Sequence, residues 1–259
     1  MHTLDIRIPR SACSPREHVR AADIWRLCQE AAVAHSIACD WPPHRYRETQ
    51  TGWIVRELVG IHQQELLYPS HSHTQIQTWI AQSRRRLLFR RETRIQDTFW
   101  GSVDWVFVGG EAGAWGPKAA PDDLTAAFAV EHHGDAPHFP SLEKENWQAG
   151  PDYYLEPLWT EMDPQGHTNH PRYVEWADEA IARWIFQAGL DPLPMRAVAE
   201  RVRYRAEARA ADRVRVEVAW VGTLDLGTRV FDLKMTRIGA QEPVKLCDAR
   251  LIRHHPDWK

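Results

Sequence analysis

Asp163 and His167 stand four residues apart in the stretch Glu161-Met162-Asp163-Pro164-Gln165-Gly166-His167-Thr168-Asn169-His170-Pro171. A carboxylate can attack a carbonyl carbon or take a proton from water. An imidazole, with its ordinary pKa of about 6.5, carries a proton either way near neutrality. Gly166 allows a tight turn between the two groups, and Gln165 adds an amide to it. Pro171 suits the first turn of a helix, where its missing N–H would have no partner. N–H groups at a helix start can hold a developing oxyanion, so the amides of 170–173, Pro171 excepted, are the expected donors. Such a layout suits attack on a carbonyl or thioester. The plainer reading is an Asp that merely starts a turn before a helix, beside one loop histidine among fourteen.

Two groups at that spacing need a folded frame. The chain has 259 residues, 43% of them hydrophobic, enough for one large core or two small ones. A net charge of -3 gives no general affinity for nucleic acid or an anionic membrane, and no readout motif for nucleic acid is present. No apolar run reaches the roughly 18 residues of a membrane span, and the first residues lack the apolar core of a signal peptide. Cys13, Cys28, Cys39 and Cys247 form no C-x-x-C pair, which predicts reduced thiols in a cytoplasmic protein. The histidine pairs His71/His73, His132/His133 and His254/His255 lack a companion set of ligands at fixed spacing, so no metal is expected, and no cofactor either. Most of the thirteen Trp are read as core.

The chain reads as duplicated. Pro15-Arg16 and Pro171-Arg172 each open a stretch with an apolar stripe at helical spacing. The first stripe is Ile24, Leu27, Cys28, Ala31, Ala34 and Ala38; the second is Val174, Ala177, Ile181, Trp184, Ile185 and Ala188. Ser14 and His170 fall at the N-cap positions, and Gly189 can close the second helix. Strand-like segments follow each helix, at 53–61, 74–82, 84–95 and 103–108, then at 202–208, 213–220, 229–237 and 244–252. In one of them Val214, Val216, Val218 and Trp220 alternate with Arg213, Arg215 and Glu217, the pattern of a sheet with one covered face. The expected organisation is an N-terminal repeat over 1–130, a linker over 131–150 and a C-terminal repeat with the active site over 151–259. Each repeat is α+β: one long helix wrapped by an antiparallel sheet.

That plan, with these residues, resembles the double-hotdog acyl-acyl carrier protein thioesterases. Asp163-x-Gln165-x-His167-Thr168-Asn169-His170, followed by Tyr173 and Trp176, is similar to the family motif D-x-N-x-H-V-N-N-x-x-Y-x-x-W. Tyr204-Arg205-Ala206-Glu207 resembles its Y-R-x-E segment, and Gly52-Trp53-Ile54-Val55-Arg56 its opening strand. Asp163-Pro164-Gln165-Gly166 is also similar to the Asp-Pro-x-Gly turn of the small hydroxybenzoyl-coenzyme A thioesterases. The chain departs from the pattern at Gln165, where the family has Asn, and at Ala208, where some members carry Cys.

The resemblance implies a thioester hydrolase acting on acyl carrier protein or coenzyme A thioesters in fatty-acyl metabolism. Asp163 would attack or activate water, His167 would orient or shuttle a proton, Gln165 would polarise the carbonyl, and Glu207 would help hold water. Asn169, His170, Tyr173 and Trp176 would bind substrate, and an apolar channel beneath the first-half sheet would take the chain. Strict alternation instead groups Glu207 with Arg203, Arg205 and Arg209 on a wet face, unless a bulge or strand end turns it inward. Arg84, Arg86, Arg90 and Arg94 share a strand face by parity and are a weak candidate for docking an acidic carrier, or else a solvated face. Ser11-Ala12-Cys13-Ser14 offers no acid–His pair before the first helix, so one working site per chain is expected. Two other readings stay open, a hotdog enoyl-thioester hydratase or dehydratase and a non-catalytic acyl-binding protein; so does a homodimer.

Overall fold

The computed structural model describes residues 1–63, 72–110, 115–142, 147–239 and 242–258; His71 and parts of the 109–150 stretch lie outside them. Two compact units emerge, Met1–Val19 with Asp23–His138, and Arg20–Ala22 with Phe139–Lys259. The stretch expected as a linker divides between them. Glu131 N–H donates to Ile80 O on the first unit's sheet, while Gln148–Ala149 pairs with a strand of the second.

The first unit holds β1 (His2–Arg7), α1 (Ala21–Ala38), α2 (Pro43–Glu48), β2 (Thr51–His62), β3 (His73–Arg84), β4 (Leu88–Ile95), β5 (Phe99–Gly109), β6 (Gly116–Pro117) and α3 (Asp122–Ala127). Its strands run in the order β1-β3-β4-β5-β2, with β6 on β5, and every pairing is antiparallel. α1 buries Ile24, Trp25, Leu27, Cys28 and Ala31, and Trp25 meets Phe99 of β5 edge to face at 5.3 Å. Burying each large apolar side chain of that kind contributes about 1.5–3 kcal/mol, which is what holds helix to sheet.

The second unit holds β7 (Gln148–Ala149), β8 (Tyr153–Leu155), α4 (Pro171–Gln187), β9 (Arg196–Tyr204), β10 (Arg213–Asp225), β11 (Thr228–Ile238) and β12 (Val244–His254). The order is β9-β12-β11-β10-β7, with β8 also on β10. Val214, Val216 and Val218 are buried as the alternation predicts; Trp220 is half-buried, its ring 4.6 Å below the Arg229 guanidinium. α4 starts at Pro171 and buries Tyr173, Val174, Trp176, Ala177, Ala180, Ile181 and Ile185. Gly189 caps it at φ +83°, and Leu190 N–H returns to Ile185 O.

Two expectations need correction. The first helix begins at Ala21, not at Pro15, because Pro15 sits inside a turn whose flanks, Cys13 and Val19, form a single antiparallel bridge. Ser14 therefore caps no helix. The segment 84–95 is not one strand: β3 ends at Arg84, Arg85 and Arg86 turn with positive φ, and β4 starts at Leu88. Alternation cannot run through that turn, so the four arginines do not share a face. Arg86 pairs with Asp122, Arg90 forks onto Asp104 at 2.7 and 2.9 Å, and Arg94 donates to Gln77 Oε1, while Arg84 closes β3.

Candidate active site

The site is built on the turn between a single 3-10 turn, Trp159–Glu161, and α4. Asp163 N–H donates to His167 O at 2.7 Å, and Gly166 N–H to Asp163 O at 2.9 Å. Gly166 takes φ +79°, a backbone state that costs other residues roughly 1–2 kcal/mol. Met162 and Thr168 close the turn as an antiparallel bridge. Inside it, Asp163 Oδ1 accepts the N–H of Gln165 at 2.8 Å and of His167 at 3.1 Å. The carboxylate is thereby fixed in one rotamer with one oxygen engaged. Oδ2 makes no hydrogen bond among the described residues and is the oxygen left for chemistry.

His167 is oriented by the other acid. Its Nε2 lies 3.1 Å from Glu207 Oε2, while Glu207 Oε1 accepts from Arg209 Nε at 3.0 Å and Nη2 at 2.5 Å. A carboxylate on one ring nitrogen fixes the proton there and leaves the other nitrogen basic. β9 ends at Tyr204, so Glu207 lies beyond the strand and alternation does not govern it. The loop that carries it is pinned on both sides of Ala208. Thr168 N–H donates to Ala208 O at 2.8 Å, and Ala208 N–H donates to Tyr173 Oη at 2.8 Å. Arg209 N–H adds a bond to Asp212 Oδ2.

Tyr173 and Trp176 are 2% and 6% exposed. Burial pushes the Tyr173 phenol up, so it stays a neutral hydroxyl able to accept the Ala208 amide. Tyr204, also pushed up by burial, donates to His170 O at 2.9 Å. These side chains frame the turn and the start of α4. Gln165 is exposed at the corner of the turn, and Asn169 receives the Arg172 amide on its carbonyl. That last contact removes two of the three expected oxyanion donors: Arg172 N–H goes to Asn169 O at 2.9 Å and Tyr173 N–H to His170 O at 3.3 Å. Both amides are used within the first turn, because the chain tightens before the helix. The helix dipole at that end still favours negative charge.

Two features escaped the sequence. Arg209, placed on a wet face by alternation, clamps Glu207; its signal was only its position two residues on. The second is a copy of the turn. Ser14 N–H donates to His18 O at 2.7 Å, Glu17 N–H to Ser14 O at 2.9 Å, and Ser14 Oγ accepts the N–H of Arg16 and His18 at 3.3 and 3.4 Å. Ser14 thus matches Asp163 and His18 matches His167, with Glu17 at φ 60° in the place of Gly166. Pairing Pro15 with Pro171 set the repeats out of register; Pro15 corresponds to Pro164.

Of the four free thiols, Cys247 is buried and pushed up by burial, as Cys39 is to a lesser depth. Among the described residues no helix is long and apolar enough to cross a membrane.

Residues 157–250 match the family described as the thioesterase-like superfamily. No curated protein matches the sequence. Solved structures do. A Lactobacillus plantarum protein described as an oleoyl thioesterase aligns with a TM-score of 0.77 over 98% of this chain and 96% of its own, at 14% identity. An acyl-ACP thioesterase from Bacteroides thetaiotaomicron gives 0.71 over 97% of each chain, at 12% identity. The 12:0-ACP thioesterase from Umbellularia californica gives 0.72 over 97% and 93%, at 17% identity. The chain has their double-hotdog fold.

Proposed function

We propose that this double-hotdog chain hydrolyses an acyl thioester carried on acyl carrier protein or coenzyme A. The observation that carries the reading is the turn at Asp163: one carboxylate held by two amides, and on the same turn a histidine held by a second carboxylate. The superfamily match over the same residues supports it. So do the names of the structural neighbours, which favour fatty acyl groups on acyl carrier protein.

In this reading Asp163 Oδ2 either attacks the thioester carbon or draws a proton from the water that does. The negative charge that builds on the carbonyl oxygen lies near the positive end of α4. Where Asp163 attacks, the anhydride formed as the C–S bond breaks is then opened by a water; in either route the proton that this water loses passes by way of Asp163 and His167, its ring set by Glu207, to the departing thiolate. The products are a free acid and a free thiol, and the oxygen added to the acyl group comes from water. Free thiols at all four cysteines fit a reducing compartment, so we place the activity in the cytoplasm. Release of thiol from acyl-carrier and acyl-coenzyme A thioesters tests the reading directly.

A further inference from the structure

Two arginines are buried among the described residues: Arg91 on β4, 6% exposed, and Arg253 on β12, 1% exposed. They differ in how their charge is met. Arg253 sits on two carboxylates, with Nε 2.7 Å from Asp178 Oδ1 and Nη1 3.2 Å from Glu200 Oε2. Arg91 has none. Its Nη1 donates to His35 Nδ1 at 2.8 Å and to Thr78 Oγ1 at 3.3 Å, and the guanidinium makes no other hydrogen bond among the described residues.

The neighbouring groups cannot neutralise it. His35 is held neutral, its pKa lowered to about 3 by burial and then by Arg91 itself. Glu92 follows Arg91 in the strand and so points to the opposite face, where it accepts from Trp100 Nε1 and Ser102 Oγ. Glu131 is bound by the N-terminal ammonium and by His133 Nε2. Burial lowers Arg91 only to about 10, so it is a cation at neutral pH. A desolvated cation without an anion is costly to keep.

What surrounds Arg91 is aromatic. Its guanidinium lies 5.4 Å from the Phe128 ring centre. Phe128 belongs to a cluster with Trp41, Phe89 and Phe107, bordered by half-buried Tyr46, Trp53 and Cys39. One fixed polar group among apolar walls is the usual make-up of a small-molecule site.

We propose that Arg91 is the recognition group for a ligand carboxylate seated in the first unit, against Phe128, Tyr46 and Trp53. The carboxylate comes from one of two sources: a free fatty acid, or the far end of an acyl group that carries a second carboxyl. The second source rests on the hydrolase reading; the first does not.

Binding of hexanoate, adipate and 1-hexanol to the wild-type protein, by thermal shift and titration calorimetry, tests this without turnover. The acids are expected to bind and the alcohol to bind at least about tenfold more weakly, since a hydrogen bond to a charged group is at stake. Arg91→Met is expected to melt no lower than wild type and to lose the preference for acids. Equal binding of hexanoate and hexanol to wild type overturns the proposal, as does an unchanged preference in Arg91→Met. A purely structural Arg91 would give a destabilised Met variant and no acid preference in wild type. If the Met variant does not fold, the wild-type acid–alcohol comparison decides alone. The sources separate on adipoyl- against hexanoyl-coenzyme A. An Arg91-dependent preference for hydrolysing the adipoyl thioester assigns the acyl end; acid binding without that preference, or without any hydrolysis, assigns the free acid.

Discussion

Ser14 and Asp163 occupy the same seat in two copies of one turn, each accepting the amides two and four residues ahead of it. The hydroxyl of Ser14 carries no charge, and its two hydrogen bonds, at 3.3 and 3.4 Å, are longer than those of Asp163. The first copy keeps the backbone of the site without its carboxylate. Ser14→Ala should therefore leave kcat and KM for any hydrolysed thioester unchanged, and lower stability by no more than about 1 kcal/mol. A large rate loss in that variant would show that the first turn takes part in the chemistry.

Glu207 is placed to act through His167. Glu207→Gln keeps the shape and removes the charge that faces both His167 and Arg209. We expect kcat to fall by about ten- to a hundredfold, with the melting temperature little changed. A Gln variant with wild-type rates would leave Glu207 as an ordinary surface acid.

Tyr173 tests the link between packing and chemistry. Tyr173→Phe leaves the buried Ala208 N–H without its acceptor, at a cost of about 1–3 kcal/mol in urea denaturation. Because Ala208 adjoins Glu207, turnover should drop as well. Restored stability in added osmolyte without restored turnover would separate positioning from folding. If the rate holds while stability falls, the Ala208 clamp does not set Glu207.

How much of this could be read from sequence depends on how local each signal is. The Asp163–His167 spacing, the helix at Pro171 and the alternation of Val214, Val216 and Val218 are properties of a few consecutive residues, and each has its structural counterpart in the turn, α4 and β10. Glu207 was ambiguous because its place depends on bonds to Thr168 and Tyr173, more than thirty positions away, which no periodicity records. The repeat register failed on proline, which favours both a helix start and a turn: Pro171 does the first and Pro15 the second. The arginine stripe failed because positive φ at Arg85 and Arg86 broke the strand without a glycine to announce it.

Stability should respond to acid through His35. Its folded pKa of about 3 lies below its ordinary 6.5, so below pH 6.5 the unfolded chain binds the extra proton. This contribution is complete above pH 6.5 and is lost as pH falls toward 3, by up to about 1.4 kcal/mol per pH unit. His35→Gln, whose amide oxygen can still accept from Arg91, should lose less melting temperature than wild type between pH 7 and 4. Parallel curves for the two proteins would mean that His35 is not the group being titrated.

The most direct test of the Asp163 carboxylate is thiol release across acyl-carrier and acyl-coenzyme A thioesters, wild type against Asp163→Asn. Wild type should turn over at least one fatty acyl thioester, and the Asn variant, which keeps an oxygen to accept the Gln165 and His167 amides, should fold normally and lose at least about a hundredfold in kcat. Equal rates for the two proteins on every thioester, or no release by wild type above the uncatalysed rate, would contradict it.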